Sequence, residues 1–159
     1  MGSRTAQIQA FERLLDIMDE LREKCPWDRI QTFETLRHLT IEETYELGDA
    51  ILENDFEEIK KELGDLLLHI VFYSKMGSEK KAFDIGDVAN QISNKLIQRH
   101  PHIYGETNVE DADQVVKNWE EIKLSEGKES ILGGVPKSLP ALVKACLLYT
   151  SDAADEVLG

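Results

Sequence analysis

The stretch TIEETYELGDAI, residues 40–51, decides how the chain is read. Its apolar residues recur at helical spacing, yet it carries Glu42, Glu43, Glu46 and Asp49. At about 100° per residue on a helical wheel, Leu36, Leu39, Glu43, Leu47 and Ala50 share one narrow sector. Glu43 therefore lies inside an apolar stripe. Glu46, three residues on, borders it. Glu42 and Asp49 point further out.

Working outward, the helix holding this stretch is predicted to run from Phe33 to Glu53, with Thr32 as its N-cap. Asn54-Asp55 breaks it. Asp55 followed by Glu58 resembles a capping box and starts a third helix, which ends near Met76 with Gly77 as its stop signal. The apolar stripe predicted for that helix is Ile59, Leu63, Leu66 and Ile70. Glu62 borders the stripe, and Asp65 lies beside Glu62 at i+3. Lys60 and Lys61 fall in other sectors. So short a connection makes the two helices antiparallel neighbours. Glu43 and Glu46 then face Glu62 and Asp65 across one groove.

Four converging carboxylates repel one another. Burying them unpaired costs several kcal/mol each or forces protonation. A hard, oxygen-ligated cation such as Mg²⁺, with Mn²⁺ as the alternative, resolves the conflict. The competing reading is a solvated acidic face on two surface helices. The spacing does not suit a ferritin-like di-iron centre, which uses Glu-x-x-His pairs. Here the third positions are Glu46 and Asp65, and His69 follows Asp65 by four.

The remaining helices read more simply. Residues 6–24 carry Ile8, Phe11, Leu14, Leu15, Met18 and Leu21 at helical period, and Pro26 ends the run. CPWDRIQT, residues 25–32, is read as a loop. A fourth helix is expected from Asp84 to Gln98, a loop at RHPHIYG, a fifth helix from Glu110 to Leu124 and a short one near Leu139. No segment alternates with period two, so the class is all-α.

Composition bounds the function. With 159 residues, 42% hydrophobic and 31% charged, the chain suits one globular domain, or a domain plus an arm. No run of about 18 apolar residues offers a membrane span, and the first residues lack the apolar core of a signal peptide. A formal charge of -13 argues against nucleic acid as the main partner. Cys25 and Cys146 lie far apart with no C-x-x-C, which argues against a disulfide framework or zinc-thiolate site and favours the cytoplasm. The P-loop pattern G-x-x-x-x-G-K-[ST] is absent.

The blocks EETYE at 42–46 and ELGD at 62–65 resemble the EExxE…ExxD signature of MazG-type nucleoside triphosphate pyrophosphohydrolases. CPWDRIQT, TLRHLTIEETYEL at 35–47, KKELGDLLLHIVFYSK at 60–75, KLIQRHPHIYG at 95–105, NWEEIK at 118–123 and GGVPKSLPALVKA at 133–145 extend the likeness. The resemblance implies a single domain over residues 1–145, built as an all-α antiparallel helical bundle and assembled as a homodimer. It implies Mg²⁺-dependent hydrolysis of a nucleoside triphosphate to monophosphate and pyrophosphate, with water attacking the α-phosphorus. It assigns Glu43, Glu46, Glu62 and Asp65 as metal ligands, with Glu42 as a candidate to orient or deprotonate the water. Lys95 and Arg99 then contact phosphates, as does Lys123. Trp27 and Trp119 are carried over as substrate-binding, with a core role as the alternative for each. His100 and His102 are read as fixing their loop, and Tyr45, His38 and His69 receive no functional reading.

From Cys146 the chain departs from the family pattern. CLLYTSDAADEVLG, residues 146–159, is read as an aberrant tail that resembles sequencing-adapter read-through. Rival readings are a related all-α dUTPase or dCTPase, a non-catalytic helical regulator, and a structural metal-binding bundle.

Overall fold

The computed structural model describes residues 2–109 and 111–125. Expectations for GGVPKSLP, for the helix near Leu139 and for the tail lie outside these residues. Among the described residues there are seven helices and no strand: α1 (Arg4–Lys24), α2 (Pro26–Arg29), α3 (Phe33–Glu53), α4 (Phe56–Glu79), α5 (Ile85–Arg99), α6 (Pro101–Tyr104) and α7 (Ala112–Ser125). The all-α class holds. The chain forms two compact units, Met1–Ile92 and Ser93–Gly159, so that α5 carries the division between them.

Local chemistry sets the ends of the first unit's helices. Ser3 caps α1 by accepting from the Ala6 N–H. Cys25 is extended, as the residue before a proline should be, and Pro26 occupies the first turn of α2, where its missing N–H does no harm. The CPWDRIQT segment is thus partly helical rather than a loop throughout. Thr32 and Thr35 cap α3 reciprocally: each hydroxyl accepts from the other's backbone N–H, at 3.3 and 2.8 Å.

The α3–α4 turn is two residues long. Asn54 takes the left-handed conformation that ends α3 (φ 56°), and the Asp55 carboxylate accepts from the N–H groups of Glu57 and Glu58 to start α4. So tight a turn forces α3 and α4 into the antiparallel pair expected. The end of α4 differs from expectation. Gly77 lies inside the helix, buried, and the chain leaves helical geometry only after Glu79, with Lys81 at φ 56°. Gly77 is there for space. A Cβ on it would stand 2.8 Å from both the ring and the carbonyl oxygen of Phe83.

Met18, Leu36, Val71, Phe72 and Met76 form the buried core of this unit, with Phe11, Leu14, Leu15, Phe33, Leu39, Leu68 and Tyr73 packed around it. The expected α3 stripe is correct: Leu36 and Ala50 are buried, and Leu39, Glu43 and Leu47 are half-buried. The expected α4 stripe is not. Leu63 and Ile70 are exposed. The covered face runs through Glu62, Asp65, Leu66, His69, Phe72, Tyr73 and Met76. Alpha-4 is apolar on two faces, and packing against α1 and α3 covers the one that also holds Glu62 and His69. Glu62 therefore lies in the middle of the buried face rather than at its border.

Asp84 and Asp87 form a reciprocal cap at the start of α5, at 3.0 and 2.9 Å. In the second unit, RHPHIYG contains the short helix α6 rather than a loop alone. His100 Nδ1 lies 2.6 Å from the Leu96 carbonyl oxygen. The His100 ring sits 5.6 Å from His102 and 6.3 Å from Trp119, centroid to centroid.

Candidate functional site

Three carboxylates meet on the facing sides of α3 and α4. Oxygen atoms of Glu43, Glu62 and Asp65 all lie within 4.8 Å of one another. Glu43 stands at the middle of α3. Glu62 and Asp65, a turn apart on α4, answer it across the hairpin. Glu46 is exposed at the margin, yet its charge still acts on Glu43. Glu42 is exposed and is not part of the cluster.

The electrostatics separate the members. Glu43's carboxyl is pushed up, by burial first and then by the negative charge of Asp65, with Glu62 and Glu46 adding to it. Glu62 goes the other way. Its side chain is 0% exposed, yet the Lys61 ammonium, 2.6 Å from its Oε1, holds it below the ordinary carboxylate range against the upward push of burial. The expectation that Lys61 belongs to another sector is thereby corrected. Its backbone position is off the face, but a long flexible stem brings the ammonium back to Glu58 and Glu62. A residue's helical sector fixes its Cβ, not how far a lysine stem reaches.

Within the cluster, one buried oxygen stands out among the described residues. Glu62 Oε2 is fully enclosed and has no hydrogen-bond partner among the described residues. A buried carboxylate oxygen without a donor is expensive. Three oxygen donors of net negative charge, converging within a few ångströms around such an atom, suit a hard divalent cation of the Mg²⁺ or Mn²⁺ kind. Glu43, Glu62 and Asp65 would hold it.

The other expected site residues lie on other elements. Trp27, on α2, is 52% exposed and does not plug the core. Lys95 is exposed on α5, whereas Arg99 is buried at 7% exposure. Trp119, on α7, packs near His100 and is partly exposed. The side chain of Lys123 lies outside the described set. Lys95, Arg99, Trp119 and Lys123 all belong to the second unit, and the acidic cluster to the first.

His69 received no functional reading from sequence and is 7% exposed, one turn beyond Asp65, with no partner for its buried Nδ1. Burial pushes its imidazole down, and the charge of Asp65 pulls it up. The signal was present as a histidine at i+4 from a candidate ligand.

An antiparallel helical pair carrying an acidic cluster on its inner faces places the chain among all-α proteins suited to divalent cations. Comparison with known proteins narrows this. Residues 31–104 match the MazG nucleotide pyrophosphohydrolase domain. The nucleoside triphosphate pyrophosphohydrolase of Escherichia coli K12 is 45% identical over 142 residues, covering 85% of this chain and 54% of that one. The nucleoside triphosphate pyrophosphohydrolase/pyrophosphatase MazG of Thermotoga maritima is 44% identical over 140 residues, covering 85% and 53%. The crystal structure of a MazG-related protein from Thermotoga maritima superposes with a TM-score of 0.61 at 26% identity, over 71% of this chain and 98% of that one. The chain belongs to the MazG family. It spans about half the length of the two pyrophosphohydrolases it matches.

Proposed function

We propose that this chain hydrolyses nucleoside triphosphates to nucleoside monophosphate and pyrophosphate at the α3–α4 acidic cluster. The observation that carries this reading is the convergence of Glu43, Glu62 and Asp65 around the unpartnered Glu62 Oε2. A bare carboxylate cluster repels a triphosphate; a bound divalent cation, Mg²⁺ or Mn²⁺, would bridge the two and polarise the phosphoryl oxygens. Glu43, Glu46, Glu62 and Asp65 would hold that cation. Glu42, from its exposed position beside Glu43, orients the water that attacks the α-phosphorus. Catalysis then rests on position and field, with no covalent intermediate. Phosphate contact by Lys95, Arg99 and Lys123 and nucleotide contact by Trp27 and Trp119 rest on the family resemblance alone.

The same reading includes a homodimer. Ile41, Tyr45 and Leu52 line one exposed stripe of α3, and Leu63, Leu67 and Ile70 one of α4. Unpartnered apolar stripes on neighbouring helices favour burial against a second copy.

A product assay decides the reaction. The chain is incubated with each common NTP and dNTP, with Mg²⁺ or with EDTA, and products are resolved by anion exchange. Monophosphate and pyrophosphate, formed only with metal, are expected. Diphosphate and phosphate would mean that a different bond is cut. Absence of turnover would favour the helical regulator, and turnover confined to dUTP or dCTP the related all-α enzymes.

A further inference from the structure

The acidic cluster does not end at Asp65. One turn further along the covered face of α4 stands His69, and one turn beyond that Tyr73. Side chains on a helix lean towards its N-terminus, so His69 overlies the turn that carries Asp65, and Tyr73 overlies the turn that carries His69. The His69 and Tyr73 rings are 6.5 Å apart, tilted at 54°. Tyr73 is itself fixed. Its ring stacks on Phe33 at 5.7 Å, and its hydroxyl lies 2.7 Å from Thr40 Oγ1 on α3. Thr40 Oγ1 also lies 3.2 Å from the Leu36 carbonyl oxygen, so the hydroxyl pair is tied back to the α3 backbone.

A column of side chains thus runs from the acidic cluster to a firm anchor on the opposite helix. His69 is its one member with an unmet need. Its Nδ1 is buried and without a hydrogen-bond partner among the described residues. Packing alone would favour an apolar side chain there, because an unpaired buried nitrogen is unfavourable. The imidazole sits where a donor could fix the carboxylate one turn before it.

We propose that His69 is a positioning residue for the acidic site, donating a hydrogen bond from its enclosed Nδ1–H to the Asp65 carboxylate when the cluster takes a divalent cation. Ligating carboxylates are oriented by such partners, and their loss weakens metal binding by about 10- to 100-fold. Tyr73, braced by Thr40 and Phe33, keeps the ring from rotating away. The inference rests on the cation-binding reading of the cluster.

Mn²⁺ binding to the full chain, followed by electron paramagnetic resonance without nucleotide, provides the test. His69→Leu removes the donor; His69→Phe does so while keeping an aromatic ring, in case Leu perturbs the packing; His69→Asn keeps an N–H near the Nδ1 position. Circular dichroism establishes that each variant is helical. His69→Leu and His69→Phe are expected to weaken Mn²⁺ binding about 10-fold or more, and His69→Asn to recover most of the loss. Wild-type affinity in both apolar variants would overturn the proposal, as would an Asn variant as weak as the Leu variant. Glu62→Gln is the control for the cluster. If the wild-type chain binds no better than Glu62→Gln, the cation site falls, and His69's role with it. If that control weakens binding and the His69 variants do not, His69 alone falls.

Discussion

Lys61 holds the carboxylate of its own neighbour: its Nζ stands 2.6 Å from the enclosed Oε1 of Glu62 and 2.6 Å from Oε1 of Glu58. The ammonium is exposed, whereas the carboxylate it pairs with is not. One oxygen of Glu62 is therefore neutralised by the chain itself, and the other is left for something else.

Lys61→Met should lower the melting temperature in EDTA, because Glu62 then keeps its charge with less compensation. Added Mg²⁺ should raise the variant's melting temperature by more than it raises the wild type's. Thermal melts with and without Mg²⁺ measure the difference. Equal metal-induced shifts in the two proteins would show that Lys61 and the cation do not share Glu62.

Glu43→Gln should reduce kcat by on the order of 100-fold or more while leaving the fold intact. Glu43's carboxyl is pushed up in the folded chain, so its ionised form is disfavoured there. Its linkage contribution therefore improves as pH falls, and the neutral amide should melt no lower than wild type at neutral pH. Turnover is read by the anion-exchange assay and stability by calorimetry. Wild-type turnover in this variant would remove Glu43 from the ligand set.

Arg22 and Glu79 tie α1 to the end of α4 through two contacts, at 3.0 and 2.5 Å. The Arg22 hydrogen bond holds Glu79 below the ordinary carboxylate value of 4.5. A depressed folded value means that this stabilisation is present above the unfolded value and is lost as pH falls through the folded one. Stability should decline below about pH 4.5, and Glu79→Gln should flatten that part of the profile. Because Glu79 is partly exposed, the loss at neutral pH should be only about 1 kcal/mol. Urea denaturation at a series of pH values checks both.

Gly77→Ala should destabilise the chain by a net amount of up to about 2 kcal/mol, since overpacking costs about 1–3 kcal/mol. The new methyl would meet both the ring and the backbone of Phe83, and the backbone cannot rotate aside. This outweighs the roughly 1 kcal/mol that alanine gains over glycine inside a helix. A variant as stable as wild type would mean that the α4–α5 connection yields easily.

Leu67→Glu should convert a dimer to a monomer. Leu67 lies in the exposed stripe between Leu63 and Ile70, outside the acidic cluster. Sedimentation velocity distinguishes the two states, and a wild-type chain that sediments as a monomer would sink the dimer directly.

Helix positions and the acidic cluster were largely legible in the chain itself. Caps at Thr32 and Asp55, the break at Asn54 and the period of α3 are local, so neighbouring residues suffice to decide them. The hairpin followed from its length, and with it the meeting of Glu43, Glu62 and Asp65. Two short helices, α2 and α6, escaped notice because four residues carry too little periodicity to register.

What only the tertiary structure decided is which face of α4 is covered, and by what. Leu63 and Ile70 carry as strong an apolar signal as Leu66 and Phe72, and hydropathy along one helix cannot say which row a neighbour covers. Packing against α1 and α3 covered the row with Glu62 and His69, leaving Leu63, Leu67 and Ile70 exposed. It also brought the Lys61 ammonium back to Glu62 and set Tyr73 against Thr40. These are contacts of side-chain reach and helix apposition, which depend on atoms in space rather than on order along the chain.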